Sequence, residues 1–277
     1  MHIGIDIRTL MDERYSGVSE FVYHLLENIF KIDKDNDYVL FYNSFHDVSG
    51  RLPEFVKDKE IVNFGIPNKI YNYLLTKPFG LPQVDKRLDC DVLFLPHFNF
   101  TAVRDAPIIQ TVHDLSFRRY HELFSARKNL WHRALNVKKQ LQRARVVAAV
   151  SYSSKNDVIE LAGVPAERVK VIYPGLNPGF RPLLHQDPEL ERVKEQYELP
   201  AQFLLFLGTI EPRKNVEGLI KAYEVLDKKW RARRRLWFWP AGPAGKATAS
   251  TKPMSQPGQG QDQVPGLCGG RGQMRFV

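Results

Sequence analysis

A histidine–aspartate pair, His113 and Asp114, is well suited to proton or hydroxyl chemistry. The pair directly follows the apolar run Ile108–Val112, which predicts a buried strand. An aspartate can fix the tautomer of a neighbouring imidazole, and a histidine can hydrogen-bond sugar hydroxyls or transfer a proton. A purely structural hydrogen bond is the commoner use of such a pair, so the residues alone leave both interpretations open.

A second candidate site is the segment Gly208–Asn215, which follows the strand-like run Phe203–Leu207 and precedes a helical pattern. In an open α/β sheet, ligands bind at the carboxyl ends of strands, where the N–H groups of helix N-termini favour anions. Gly208 would let the backbone approach a ligand closely, and Arg213 and Lys214 could neutralise a diphosphate. A solvated turn with two surface cations is the alternative.

Three further candidate residues lie after predicted strands, at the strand end or in the following loop. Gly17 opens a helix, and a glycine there allows phosphate or sugar to approach, although a tight turn without ligand also accounts for it. His97 follows the predicted strand Val92–Leu95. Ser151 begins another helical pattern, where Ser151 or Ser153 could contact ligand, although helix capping is the better-supported role.

The elements that must position these residues alternate between short apolar runs and longer helical patterns, which predicts repeated βα units around a parallel sheet. Apolar spacing predicts helices at Val18–Ile29, Phe124–Arg145, Ser151–Leu161 and Val216 to about Leu226. Pro174–Pro200 shows little periodicity and is interpreted as a linker or domain crossover. The predicted strands are His2–Ile7, Tyr38–Tyr42, Ile61–Phe64, Val92–Leu95, Ile108–Val112, Val146–Val150, Val169–Tyr173 and Phe203–Leu207.

Four segments, Ile3–Leu10, Thr111–Phe117, Tyr173–Phe180 and Gly208–Asn215, resemble those of family-4 glycosyltransferases, particularly the mannosyltransferase-like group. The resemblance extends from residue 1 to about Lys229. That family has two facing Rossmann-like domains, the GT-B fold, with donor and acceptor meeting in the cleft. The resemblance therefore implies an α/β chain of GT-B type, with a complete N-terminal Rossmann-like domain and the first βα unit of a second one.

The resemblance also implies roles for individual residues. Lys214, with Arg213, would contact the donor diphosphate beside Gly208, and His113 would face the transferred sugar. His97 would border the acceptor side. Thr209 follows the glycine where many members of the family carry arginine, which removes one common phosphate contact.

The implied reaction transfers a hexose, mannose favoured, from GDP-mannose or a UDP-hexose to a saccharide or lipid-linked hydroxyl, with retention at the anomeric carbon. Gly17 and Ser151 would belong to the loops on the sugar and acceptor side. Neither a metal nor a cofactor beyond the nucleotide-sugar substrate is implied, and HExxH, paired CxxC and Walker motifs are absent from the sequence. The basic stretch Phe124–Arg145 is by default a solvated face, but peripheral contact with an anionic membrane stays open.

The net charge of +9 is concentrated near the end of the chain. Residues 231–277 contribute +7 and residues 1–230 only +2, so the nearly neutral body argues against a nucleic-acid partner. Cys90 and Cys268 lie far apart and suggest no disulfide framework. The absence of a signal-like start and of a bilayer-length apolar run predicts a cytoplasmic protein, with the inner membrane face as a peripheral location.

The composition changes after residue 230. Residues 231–277 contain no isoleucine, tyrosine or glutamate, so no further βα unit is predicted there. The donor-side E-x7-E segment of the family is absent, since no glutamate follows Glu224. The predicted domains are residues 1–178 for the acceptor side, 179–230 for the crossover and the start of the donor domain, and 231–277 for an aberrant, low-complexity, disordered tail.

A truncating frameshift is our hypothesis for this change. Reading the codons of Trp237–Ala247 one base earlier admits Leu-Val-Leu-Ala-Gly, a strand that ends in a glycine turn, and sequencing codons 225–240 would test it. An ordinary Gly/Pro-rich tail is the alternative. Little or no turnover is expected of such a chain. The rival function is a non-catalytic remnant or acceptor-binding module in which only the N-terminal domain folds.

Overall fold

A computed structural model describes residues 1–13, 15–75, 81–176, 179–180, 182, 184, 187–197, 199, 203–208, 211–230, 235–240 and 248–250. The chain divides into two compact units, Met1–Gly175 and Leu176–Val277. Each unit contains its own β-sheet.

The first unit is built around a seven-stranded sheet in which every paired strand is parallel. The spatial order is β3-β2-β1-β4-β5-β6-β7, so the chain builds outward from β1 in one direction and then in the other. The strands are β1 His2–Asp6, β2 Asp37–Tyr42, β3 Glu60–Asn63, β4 Val92–Leu95, β5 Ile108–Val112, β6 Val146–Ala149 and β7 Val169–Val171. All seven predicted strands of this unit are confirmed, with ends shifted by at most two residues.

Helices connect these strands. The α-helices of the first unit are α1 Gly17–Ile32, α2 Glu54–Lys57, α3 Asn68–Leu75, α4 Val84–Leu88, α5 Ser116–Arg119, α6 Ala126–Leu135, α7 Val137–Arg143 and α8 Tyr152–Ala162. The single helix predicted over Phe124–Arg145 is wrong, because the chain breaks at Asn136. The backbone of Asn136 is left-handed, with φ 50°, and its side chain accepts a hydrogen bond from the backbone N–H of Lys139.

Two apolar clusters cover the two faces of this sheet. On β2, Val39 and Phe41 belong to one cluster, while Leu40 and Tyr42 belong to the other. Successive side chains of a strand point to opposite faces, so both faces are buried, as is typical of parallel sheets. Gly4 of β1 permits close packing, since a Cβ atom there would lie 2.9 Å from Cys90 Sγ.

The second unit begins with a helix that the sequence did not predict. Within the segment interpreted as a linker, α9 spans Pro188–Gln196, and the side chain of Asp187 caps it by accepting from the N–H of Glu189. The predicted pair of strand and helix is confirmed as β8 Phe203–Gly208 and α10 Val216–Trp230.

We predict no further βα unit and a disordered tail after residue 230, but the structure has two strands there. Strand β9, Arg235–Pro240, pairs in parallel with β8, and β10, Thr248–Ser250, pairs antiparallel with β9. The sheet order is β10-β9-β8. The prediction rests on overall composition, whereas the run Leu236–Trp239 is apolar enough to continue a sheet. The remaining prediction of disorder beyond residue 250 lies outside the described residues.

Candidate functional site

The point where the strand order reverses lies between β1 and β4. Ligands of open α/β sheets bind outside the carboxyl ends of the strands at such a point. Asp6 ends β1, Arg8 follows it, and His97 follows β4 by two residues. All three residues are buried.

Asp6 and Arg8 form a buried ion pair at this position. The Arg8 Nη2 atom lies 2.6 Å from Asp6 Oδ2, and Arg8 Nε donates to both carboxylate oxygens. Arg8 also donates to the carbonyl of Phe100 at 2.9 Å and to Thr101 Oγ1 at 2.9 Å. Burial would by itself raise the pKa of Asp6, but Arg8, with a smaller contribution from His97, holds that pKa below its usual value. Arg8 thereby ties the end of β1 to the loop after β4.

The imidazole of His97 packs beside this pair. Its Nε2 atom lies 3.8 Å from Asp6 Oδ2 and 3.4 Å from the side-chain nitrogen of Asn99. Its Nδ1 atom is buried and has no hydrogen-bond partner among the described residues. Burial lowers the pKa of His97, against the opposing effect of Asp6, so the ring is neutral at pH 7.

His113 lies at the end of β5, close to the same loop. Its Nε2 atom is 3.0 Å from the carbonyl oxygen of Pro96, and its ring meets the edge of Phe21 of α1 at a centroid distance of 4.9 Å. A carbonyl can only accept, so Nε2 carries the proton and Nδ1 keeps a lone pair. Burial lowers the pKa of His113, although the Pro96 hydrogen bond and Asp114 oppose this effect. His113 therefore offers one neutral acceptor atom.

The expected role of Asp114 in fixing the histidine tautomer is wrong. Its carboxylate is exposed and accepts hydrogen bonds from the N–H and the hydroxyl of Ser116, at 3.0 and 2.6 Å. The carbonyl of Pro96 fixes the tautomer of His113 instead. An aspartate two residues before a serine at a helix start readily forms this local turn, and the turn competes with the imidazole for the carboxylate.

Ser151 is confirmed as a helix cap. Its hydroxyl oxygen accepts from the N–H of Ser154 at 3.0 Å at the start of α8. Ser154, which we did not predict, donates its hydroxyl proton to the backbone carbonyl of His113 at 2.9 Å. The start of α8 therefore holds the backbone of His113, and Ser151 acts on that position through Ser154.

A second residue that the sequence analysis missed is Gln110, in the middle of β5. Its side chain is 1 % exposed, and its Nε2 atom lies within hydrogen-bond distance of the carbonyls of Leu95, His97 and Thr111. A polar residue inside an otherwise apolar strand was the available signal, since buried amides require partners.

Gly17 is the first residue of α1, after the capping residue Ser16. It is exposed, and a Cβ atom placed there would meet no atom within 4 Å. The glycine is therefore not required by packing. Phe21, one turn further along α1, contacts the ring of His113, so the start of α1 lies near the ends of β4 and β5.

The segment Gly208–Asn215 belongs to the second unit. Gly208 has φ +155°, a conformation that other residues adopt only with strain. A 3-10 turn, Pro212–Lys214, leads to Asn215, whose side chain accepts from the N–H of Gly218 at the start of α10. Thr209 and Ile210 lie outside the described residues.

The two cations of this turn differ in their surroundings. The Nε atom of Arg213 donates to Glu211 Oε2 at 2.7 Å, so this guanidinium already has an anionic partner. Lys214 is exposed at the end of the 3-10 turn. A turn is present at Pro212–Lys214, within the segment predicted to form one, whereas the predicted diphosphate contacts remain predictions.

The structure brings Gly17, His97, His113 and Ser151 to the carboxyl edge of the first sheet, and Gly208, Arg213 and Lys214 to the end of the first strand in the second. Within the described ranges, no group of three or more His, Cys, Asp or Glu side chains could hold a metal ion. Over the same ranges, none of the helices is both long and apolar enough to cross a bilayer.

Comparison with solved structures identifies the class of fold. Sucrose-phosphate synthase from Thermosynechococcus elongatus superposes with a TM-score of 0.61 at 14% identity, over 87% of this chain and 63% of that one. WaaG, a glycosyltransferase involved in lipopolysaccharide biosynthesis, superposes with a TM-score of 0.52 at 12% identity, over 85% and 62%. The fold is that of the GT-B glycosyltransferases.

The family follows from the sequence match. The model of Glycosyltransferase Family 4 matches residues 15–180, more than half of the chain, and the chain belongs to this family. The serotype-specific mannosyltransferase WbdA of Escherichia coli is 33% identical over 99 residues, 36% of this chain and 12% of WbdA. The O-antigen chain mannosyltransferase B of Escherichia coli is 28% identical over 141 residues, 50% of this chain and 35% of that protein. The chain thus spans a minor part of the length of these relatives.

Proposed function

We propose that this chain is by lineage a retaining hexosyltransferase. It transfers a hexose, mannose favoured, from GDP-mannose or a UDP-hexose to a saccharide or lipid-linked hydroxyl. No metal and no further cofactor takes part. Membership of family 4 and the similarity to two mannosyltransferases support the proposal.

The observation that carries the proposal is the state of His113. A ring held as the Nε2–H tautomer, with a lowered pKa, offers Nδ1 to a hydroxyl proton. A sugar hydroxyl is a donor of this kind, and a neutral acceptor at a strand end can orient a sugar without binding its diphosphate. Asp114 hydrogen-bonds the turn after His113, and its charge acts on the ring only by opposing the fall in the pKa of His113.

The diphosphate is assigned to the turn of the second unit. Gly208 permits an unusual backbone conformation, while Lys214 extends from an exposed turn immediately before α10. Arg213 is oriented by Glu211, and a diphosphate would share or replace that carboxylate. A cation beside a helix N-terminus is a favourable arrangement for an anion.

Donor binding tests the second-unit assignment. GDP-mannose and UDP-glucose are titrated into the purified chain, and binding is measured by calorimetry. Lys214→Ala is expected to weaken binding by about tenfold, the factor that one charge-assisted contact supplies. Lys221→Ala removes another exposed lysine, paired with Glu217, and should leave affinity unchanged. Absence of saturable binding by either nucleotide sugar would contradict the donor assignment.

Sugar transfer tests the assignment of His113. Long incubations with donor and simple methyl glycosides as acceptors are followed by mass spectrometry, and the anomeric configuration of any product is read by NMR. We propose that turnover is low. Transfer should fall at least about tenfold in His113→Ala and remain in His121→Ala, which removes an exposed histidine. An inverted product would contradict retention.

A membrane location is proposed for the face formed by α6 and α7. These helices carry six lysines and arginines and no acidic residue, and Leu130 and Trp131 are exposed between the cations. Cations around an apolar side chain favour an anionic lipid surface, which here would be the inner face of the membrane. We expect the chain to sediment with vesicles that contain phosphatidylglycerol. The sedimented fraction should decrease in the double variant Leu130→Ser/Trp131→Ser. Equal sedimentation with neutral vesicles would contradict the electrostatic part.

An acceptor-binding module without catalysis is the second candidate. The compactness of Met1–Gly175, with its complete seven-stranded sheet, favours this alternative. Limited proteolysis should then leave a stable fragment of that length which still binds the acceptor. Binding of donor by the full chain, lost in Lys214→Ala, would argue for the transferase instead.

A further inference from the structure

The loop Pro96–Thr101 contains no helix or strand, yet side chains from three elements hold its backbone. Gln110 of β5 binds the start of the loop, and Arg8, after β1, binds its end through the carbonyl of Phe100. Gln140 of α7 donates to the carbonyl of Asn99 at 3.2 Å. The loop is therefore held at three separate points.

The contacts of Gln110 surround one particular peptide group. Its Nε2 atom lies 3.0 Å from each of the carbonyls of Leu95 and His97 and 3.1 Å from that of Thr111, so its two N–H groups are shared among three acceptors. The carbonyl that lies between these two along the chain belongs to Pro96, and it accepts the hydrogen bond from His113 at 3.0 Å. Both neighbours of the peptide that His113 contacts are thus fixed by the same buried amide.

We propose that Gln110 is a positioning residue that fixes the Nε2–H tautomer of His113 through the carbonyl of Pro96. Without its N–H groups, the carbonyls of Leu95 and His97 lose the donor that Gln110 supplies, and the His97 peptide, which lies beyond the end of β4, is expected to rotate towards another donor. Rotation of the His97 peptide turns the adjacent Pro96 carbonyl away from His113. The proposal concerns the histidine itself, and only its consequence for sugar transfer rests on the proposed function.

The test follows the imidazole proton of His113 directly by NMR, in the full chain labelled with ¹⁵N-histidine. At about pH 8, well above the ordinary histidine pKa of about 6.5, the ring is neutral. In the unsubstituted chain, the proton is expected on Nε2, with slow exchange against water. Gln110→Met keeps the length of the side chain and removes both N–H groups. Exchange is then expected to become about tenfold faster, the factor that corresponds to one ordinary hydrogen bond.

Gln140→Met is the matched control. It removes an amide of α7 that donates to the same loop, but that amide does not bind the carbonyls next to Pro96. Its His113 proton should exchange as in the unsubstituted chain. Gln110→Asn, which draws the amide back by one methylene, should give an intermediate rate, and it carries the test if Gln110→Met does not fold.

Three results would overturn the proposal: a proton on Nδ1 in the unsubstituted chain, unchanged exchange in the folded Gln110 variant, or equal acceleration in both glutamine variants. None of these measurements depends on sugar transfer. If the proposed function fails, the exchange measurement still tests the role of Gln110. If the role of Gln110 fails, the proposed function is not thereby contradicted.

Discussion

At the scale of single residues, Asp6 and Arg8 depend on each other. Both side chains are almost completely removed from water, and the arginine also satisfies the Phe100 carbonyl and the Thr101 hydroxyl. A buried ion pair of this kind adds little net stability, because desolvation offsets the attraction. Loss of one partner is different, because the other charge is then buried without compensation.

Arg8→Met is therefore expected to lower the free energy of unfolding by about 3–5 kcal/mol, measured by urea denaturation. The double variant Asp6→Asn/Arg8→Met removes both charges and should recover part of this loss. Arg51→Met breaks an exposed pair with Glu13 and serves as the control, with little change expected. A loss in Arg8→Met no greater than in the control would show that the buried pair has no such role.

His97 makes stability depend on pH. Its folded-state pKa is lowered, chiefly by burial, with Arg8 and His113 also lowering it and Asp6 raising it. The folded protein thus binds this proton more weakly than the unfolded chain, whose histidine pKa is about 6.5. The stability that neutral His97 gives the folded state is fully present above about pH 6.5, and it is lost as the pH falls through the lowered folded-state pKa of His97.

The prediction is that His97→Asn loses less stability than the unsubstituted chain between about pH 7 and pH 5. The free energy of unfolding is measured for both proteins at several pH values in that range. Groups that do not interact with His97 titrate alike in both proteins and cancel in the difference, whereas Asp6 and His113 interact with His97 and contribute to it. Parallel curves would mean that His97 titrates equally in the folded and unfolded chains.

At the scale of elements, Asn136 ends α6 and begins α7. Its left-handed backbone turns the chain, and its side chain caps the second helix. The break lets Leu135, Val137 and Leu141 all reach the core. On a continuous helix, Leu135 and Val137 would lie on nearly opposite sides, so a single face could not bury both.

Asn136→Ala is expected to destabilise the protein by about 1–2 kcal/mol, because a residue with a Cβ atom and no polar group is strained at positive φ. Asn136→Gly should cost less, since glycine accepts this backbone and only the cap is lost. Thermal unfolding of the two variants checks the order. If alanine is tolerated as well as glycine, the helices can join and the break is not required.

The strands of the first unit could be predicted from the sequence because each is a short apolar run bounded by polar residues. Contacts between distant segments could not. Nothing next to Gln110 or Ser154 in the chain indicates that their partners are carbonyls of other elements. The helix break at Asn136 was missed because the flanking residues favour helix, and β9 was missed because overall composition concealed one apolar run.

At the scale of the whole molecule, the charge is unevenly distributed along the sequence. Residues 1–230 carry +2, whereas residues 231–277 carry +7, and four arginines of that segment lie within Arg231–Arg235. The attraction of a protein to nucleic acid depends on how many phosphates its cations neutralise. Any attraction to nucleic acid should therefore come from residues 231–277 and should not depend on the nucleotide sequence.

We predict that replacing Arg231, Arg233, Arg234 and Arg235 by glutamine lowers the salt concentration at which the chain elutes from immobilised DNA. The control replaces four dispersed lysines that already form ion pairs: Lys31, Lys57, Lys86 and Lys194. It removes the same charge, but the salt concentration for elution should fall less. A clustered set neutralises neighbouring phosphates together, whereas dispersed lysines that already contact carboxylates do not. Equal effects of the two sets would show that net charge alone governs retention. An undiminished, sequence-dependent retention in the arginine variant would instead require a nucleic-acid site on the body, contrary to its near neutrality.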